Sequence, residues 1–408
     1  MKSTWKIRVA LAVNFFVFAI LLNTVGIVIA RVIDDYGVAG TTAATLEAFK
    51  DLSIAAASFL FASYVPRFGY KRTMLVGLMA VMLASMLVAA VTGFWVTPVL
   101  FATIGISFAL LKTAVYSTIG LITETQAEHT GLMNTLEGIF QVGAMSGGLV
   151  FGFMINFSRW TDTYWLLAAL ILIALVLMWF TKLDEHEIEE HAAETGLLEM
   201  LKLLKRPIVW TFVVCAWLYV MIEQSFATWM PRFNEQIFGL SAALAAVFVS
   251  FYAGSIALSR FVAGYLLKWV PWVVLQLTYL GLAFAVTLTV VLLTSEGDPT
   301  TVTSWLEAPG LAFLFPAAVG FCLGPIYPTI SSIVLTKMPK SQQAAMTGLI
   351  IIFSALGGTT GSLVTGRLTD ILNTHDAFYF PLIPIGLLAL MLLVYKRFAD
   401  RDNNDGVS

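Results

Sequence analysis

Apolar residues in this chain come in blocks about as long as a 30 Å hydrocarbon layer requires of a helix, roughly 20 residues. Charged residues or Pro/Gly breaks separate them. The pattern predicts twelve membrane-crossing helices, near 8–30, 45–66, 73–93, 97–122, 131–156, 163–181, 208–230, 242–267, 271–294, 308–335, 344–366 and 378–395. The second is the least apolar because it holds Glu47, Lys50 and Asp51. No A-x-A-type cleavage site follows the first block, which is therefore read as a retained helix.

Composition agrees with this pattern. Of the 408 residues 59% are hydrophobic and 12% charged, against about a half and about a quarter in soluble domains. So few charges cannot coat soluble cores of this length, which excludes a soluble enzyme and a disordered chain. A net charge of −2 offers no basic face for nucleic acid. Lys and Arg mark the cytoplasmic side of membrane helices. With both termini inside, 16 of the 23 fall on inner segments and four, Arg31, Arg159, Arg232 and Arg367, on outer loops. The reading is an all-α polytopic membrane protein with both termini cytoplasmic.

The longest connection, Lys182–Arg206, carries seven acids and divides the spans into two sets of six. Residues 1–182 are expected to form one six-helix bundle, 183–206 a cytoplasmic linker and 207–408 a second bundle. The linker's His186–His191 (HEIEEH) sets its histidines five apart, whereas the helical zinc motif needs four. It reads as a solvated helix, and neither a metal site nor a cofactor is expected. Cys215 and Cys322 lie in apolar runs and imply no disulfide framework. Gly143, Gly147 and Gly152 recur 214 positions on as Gly357, Gly361 and Gly366. Ser58, Ala62, Tyr64 and Arg67 match Ser259, Ala263, Tyr265 and Lys268 at an offset of 201, and Gly105 and Ser117 match Gly320 and Ser332 at 215. These matches predict two homologous halves.

Six plus six helices around a cytoplasmic loop resemble the major facilitator superfamily. SYVPRFGYKR (Ser63–Arg72) is similar to that superfamily's loop signature G-x-x-x-D-R-x-G-R-R, with Pro66 in place of the acid. LKTAVYSTIG, NTLEGIFQVG, SRFVAGYL and GPIYPTI in spans four, five, eight and ten resemble the fucose permease branch of sugar:proton symporters and its TsgA-like relatives. The resemblance implies the major facilitator fold, twelve helices in two pseudo-symmetric bundles. It also implies alternating access around a cavity lined mainly by spans 1, 2, 4, 5, 7, 8, 10 and 11.

Seven charges stand within the spans: Glu47, Lys50, Asp51, Lys112, Glu137, Glu223 and Arg260. At bilayer depth each costs about 2.5–3.5 kcal/mol unless paired or wetted, so each is a functional or pairing residue. Glu47, Lys50 and Asp51 share one helix face, set in an outer vestibule on this reading. They form a local ion pair or a substrate and proton site. Lys112 near the middle of span four cannot easily snorkel. It either pairs with Glu137 or Asp51 or binds an anionic substrate. The fucose permease branch has a glutamate at the matching place, and its acid in span one falls where this chain has Asn23–Gly26. Its sugar and proton residues therefore do not carry over, and the inverted charge points to an acidic substrate. Glu137, with Gln141 one turn on, is the expected proton carrier; Glu223 is a polar helix contact or a second cavity acid.

By the offsets above, Glu47, Lys50 and Asp51 match Phe248, Phe251 and Tyr252, and Lys112 matches Tyr327. One half brings charge, the other rings. The substrate-contact set is thus Lys112, Lys50, Asn23 and Gln141 with Tyr327, Phe251 and Tyr252. Glu47, Asp51, Glu137 and Glu223 serve proton coupling or ion pairing. Arg67, Arg72 and Arg260 are gating or structural, Arg260 through pairing or capping. The function expected is proton-coupled symport of a small organic anion, a sugar acid or other carboxylate, by a monomer, with sodium left open as coupling ion. Export of amphipathic compounds and neutral-sugar symport are the alternatives. No nucleophile–base pair or phosphate loop supports an enzyme or receptor.

Overall fold

The computed structural model describes residues 2–61, 65–123, 126–183, 202–295, 301–338 and 340–405. Residues 184–201 of the predicted linker, with both its histidines, lie outside these residues. Long helices make up the rest: α1 (Lys2–Asn23), α2 (Val25–Tyr36), α3 (Gly40–Phe61), α4 (Tyr70–Ala90), α5 (Val96–Ile122), α6 (Gln126–Phe157) and α7 (Thr163–Trp179). After the linker come α8 (Pro207–Phe238), α9 (Ala242–Leu266), α10 (Trp272–Leu293), α11 (Gly310–Leu323), α12 (Ile326–Thr336), α13 (Lys340–Ile371) and α14 (Leu382–Asp405). Hydrocarbon supplies no hydrogen-bond partners, so each segment must satisfy its own backbone. Among the described residues eleven helices are long and apolar enough to cross a membrane. α3 is not among them because of its three charges, yet it runs 22 residues as an unbroken helix.

Two predicted spans are interrupted. Span one breaks at Thr24, between α1 and α2, and span ten at Gly324–Pro325, between α11 and α12. Apolarity alone did not reveal either break, since the residues on both sides are predominantly hydrophobic.

Contacts divide the chain into two units, Met1–Gly37 with Phe49–Glu194, and Val38–Ala48 with Thr195–Ser408. The start of α3 thus groups with the second unit. In the first unit α1 packs on α6, and α4 on α5 and α7; in the second, α8 packs on α13 and α14, and α9 on α11.

The packing repeats in glycines. A Cβ on Gly143 of α6 would stand 2.5 Å from the Phe16 carbonyl oxygen of α1, and one on Gly357 of α13 would stand 2.5 Å from the Trp217 carbonyl oxygen of α8. Both glycines let two backbones touch. On α5, a Cβ at Gly105 would meet the Lys50 carbonyl and stand 2.9 Å from Ser53 Cβ; on α11, one at Gly320 would stand 2.5 Å from the Tyr252 carbonyl oxygen and meet the Ser255 hydroxyl. These contacts correct the register drawn from the second and eighth spans. Lys50 corresponds to Tyr252 and Ser53 to Ser255, an offset of 202, one more than the small-residue matches indicated. Phe251 is therefore not the counterpart of Lys50.

Helix ends find partners outside their own helix. Val38 and Ala39, before α3, carry no side-chain acceptor. Asp370 near the end of α13 supplies one: its Oδ1 accepts from Gly40 N at 2.6 Å, and its Oδ2 from Thr41 N at 2.8 Å and the Thr41 hydroxyl at 2.6 Å. A carboxylate there also meets the positive end of the helix dipole. At the end of α7, Lys71 Nζ donates to the carbonyls of Trp179 (2.9 Å) and Thr181 (2.6 Å).

Gly143→Val and Gly357→Val are each expected to cost about 1–3 kcal/mol, because the clash is with backbone. Gly281→Ala, where a Cβ meets nothing within 4 Å, is expected to leave thermal stability unchanged or raised. Asp370→Ala is expected to cost about 1–2 kcal/mol through loss of the cap. Thermal unfolding of the purified protein in detergent checks all of them.

Candidate functional site

In the first unit two of the predicted charges meet on facing turns of α5 and α6. Lys112 is the seventeenth residue of α5, about 15 Å from its C-terminal end at 1.5 Å per residue. Its Nζ lies 3.9 Å from Glu137 Oε1 on α6, with side-chain exposures of 42% and 45%. The separation exceeds a hydrogen bond and both groups are partly exposed, so this is a loose Coulombic pair rather than a tight bridge. Of the two partners expected for Lys112, the structure selects Glu137; Asp51 instead lies 3.5 Å from Lys50 Nζ. The Tyr116 hydroxyl donates to Glu137 Oε1. Phe108 and Tyr116, one turn either side of Lys112, hold their ring centroids 5.7 and 5.3 Å from its Nζ. Gln141, a turn beyond Glu137, is half-buried, while Asn23 is exposed and donates to its own Ala19 carbonyl at 2.8 Å.

The three charges of α3 do not stand in an open vestibule, as their position had suggested. Glu47, Lys50 and Asp51 are 0%, 5% and 9% exposed. Helical spacing does not tell which face of α3 is packed, because that is a tertiary matter. Within the second unit, Glu47 Oε2 accepts from the Thr228 hydroxyl of α8 at 3.3 Å.

The second unit builds its polar interior from tyrosines. Glu223 Oε1 accepts from the Tyr219 hydroxyl at 3.2 Å, and the Glu223 carbonyl accepts from the Tyr252 hydroxyl at 3.2 Å. Tyr219 stacks on Tyr327 with centroids 5.5 Å apart, and the Tyr327 hydroxyl lies 3.0 Å from Ser354 Oγ. Tyr252 and Tyr327 are thus brought together around Glu223. Phe251 is not; it packs among Phe248, Trp305 and Phe313 in a separate aromatic cluster. Arg67 and Arg72 are exposed around the turn into α4.

Arg260 sits at the break in span ten. Pro328 has no N–H, so the Gly324 carbonyl four residues before it loses its helical donor. Arg260 Nε replaces that donor at 3.2 Å. An unpaired carbonyl at membrane depth would cost several kcal/mol, which is reason enough for an arginine here.

Two of these residues escaped the reading of the sequence. Tyr116 is spaced four from Lys112, a signal that points to contact once a charge is taken as an anchor. Asp370, which caps α3 from α13, left none, because its partners lie some 330 positions away.

The profile described as Major Facilitator Superfamily matches residues 11–361. No curated protein matches the sequence. Among solved structures, a bacterial homologue of the human lysosomal transporter Spinster superposes with TM-score 0.75 at 12% identity, covering 98% of each chain. The nucleoside transporter NupG gives 0.73 at 13%, over 98% of this chain and 99% of that one. The E. coli fucose:proton symporter FucP gives 0.59 at 17%, over 96% and 99%. At these identities the likenesses establish the fold.

Arg260→Met is expected to destabilise the protein by about 1–3 kcal/mol by orphaning the Gly324 carbonyl. In a Pro328→Ala background, where residue 328 regains its N–H, the same substitution is expected to cost at least about 1 kcal/mol less. A double-mutant cycle on thermal unfolding measures the difference.

Proposed function

The chain belongs to the major facilitator superfamily, and on that premise we propose that this transporter carries a small organic anion together with a proton. We place it in the bacterial inner membrane as a monomer with both termini cytoplasmic. The excess of Lys and Arg on the inner segments supports that orientation. The observation that carries the substrate reading is the Lys112–Glu137–Tyr116 constellation. A lone ammonium deep in a span, loosely held by one carboxylate 3.9 Å away, is suited to exchanging that carboxylate for another. An incoming anion takes Glu137's place beside Lys112. Glu137 keeps the Tyr116 hydroxyl but loses its cation, and it takes up the proton. Substrate and proton then bind together because each relieves the charge the other leaves. The fold shared with a structure described as a fucose:proton symporter supports proton coupling. The lysine favours an acidic substrate over a neutral sugar.

Proteoliposome uptake with and without an inward proton gradient tests this. Acidic metabolites are expected to raise the thermal unfolding temperature of the wild type but not of Lys112→Ala. Glu137→Gln is expected to lower gradient-driven accumulation by about tenfold or more, a loss of at least about 1.4 kcal/mol of coupling, while still binding the anion. Stabilisation by neutral sugars, equal in wild type and Lys112→Ala, would sink the anion reading.

A further inference from the structure

We propose that the anion is an aromatic monocarboxylate, an aryl or arylalkyl acid, rather than a polyhydroxylated sugar acid or a dicarboxylate. The inference rests on the anion reading above and concerns what surrounds Lys112. Phe108 and Tyr116 flank its ammonium. Phe140 of α6, three residues past Glu137, has its ring 5.8 Å from Phe108, and Phe15 of α1 stands 6.0 Å from Phe140 and 6.1 Å from Tyr116. Four rings therefore form a continuous set beside the ion pair. Phe15 and Phe108 are buried and form its base, while Tyr116 and Phe140 are half-buried and keep part of their surface open.

Most of the hydroxyl hydrogens on this stretch of α5 are already used. On α5, Thr113 donates to the Ala109 carbonyl at 3.0 Å, Thr118 to Ala114 at 2.7 Å and Thr123 to Ile119 at 2.7 Å. Tyr116 gives its own to Glu137. A sugar acid bound at Lys112 would leave water with a row of hydroxyls and meet mainly rings and occupied donors, with the Ser117 hydroxyl and the Gln141 amide too few to pair them all, so each unpaired hydroxyl would weaken binding. A flat apolar body attached to the carboxylate loses nothing there. It gains buried area and the offset or edge contacts that aromatic rings prefer.

Charge sets the valence. One ammonium faces one carboxylate, so a single added negative charge, matched by one proton on Glu137, leaves the site as neutral as before. A second carboxylate would meet the like charge of Glu137, 3.9 Å from the Lys112 ammonium.

Binding to the purified full-length protein in nanodiscs, measured by calorimetry, tests the proposal with phenylacetate, gluconate, phthalate and 2-phenylethanol as probes. Phenylacetate is expected to bind about tenfold or more tighter than gluconate or phthalate, and 2-phenylethanol to bind at least about tenfold more weakly than phenylacetate. Lys112→Ala is expected to abolish the preference for phenylacetate over 2-phenylethanol. Phe140→Leu, which keeps most of the side-chain volume, is expected to weaken phenylacetate about fivefold and leave gluconate unchanged. Tyr116→Phe keeps the ring and is expected to retain phenylacetate affinity within about threefold. Gluconate binding as tightly as phenylacetate, with the same dependence on Lys112, would overturn the aromatic assignment and leave anion transport standing. Binding of 2-phenylethanol as tight as phenylacetate, unchanged in Lys112→Ala, would overturn both.

Discussion

Hydrocarbon offers the backbone no hydrogen-bond partner, and nearly every feature of this protein follows from that constraint. Continuous helices meet it internally. At some helix ends and breaks a residue from another helix finishes the work. Asp370 finishes the start of α3, Lys71 the end of α7, and Arg260 the carbonyl that Pro328 strands at Gly324. In each case the group is charged and comes from a different helix, so local backbone satisfaction is tied to tertiary contact.

The same constraint sorts the intramembrane charges. Those of α3 are almost wholly buried, with Lys50 set against Asp51 and Glu47 accepting from Thr228. Arg260 serves backbone. Glu223 is ringed by tyrosine hydroxyls. Lys112 and Glu137 differ from the buried Lys50–Asp51 pair in being partly exposed, with a separation a ligand oxygen could share. That difference, rather than the mere presence of charge, singles them out as the centre of the proposed transport site.

The two units repeat each other in backbone and diverge in chemistry. Gly143 against Phe16 and Gly357 against Trp217 are one contact made twice. At equivalent depth one unit has Lys112 and the other Tyr327; one has Lys50 and the other Tyr252. Close packing fixes where glycine must stand, whereas the side chains that face open space are free to differ. An asymmetric ligand needs that freedom.

The sequence by itself determined the class, the span pattern, the orientation bias and the existence of a repeat, because apolar length, charge sidedness and glycine spacing are properties of single segments. It also located the unusual charges. It did not decide their partners. Whether Lys112 met Glu137 or Asp51, whether the α3 face was open or packed, and whether Phe251 or Tyr252 matched Lys50 all depended on how helices far apart in sequence are rotated and set in depth. A rotation of a few tens of degrees moves a side chain from one neighbour to another without altering hydropathy. Only the packed structure, through backbone contacts such as that at Gly320, fixed those rotations.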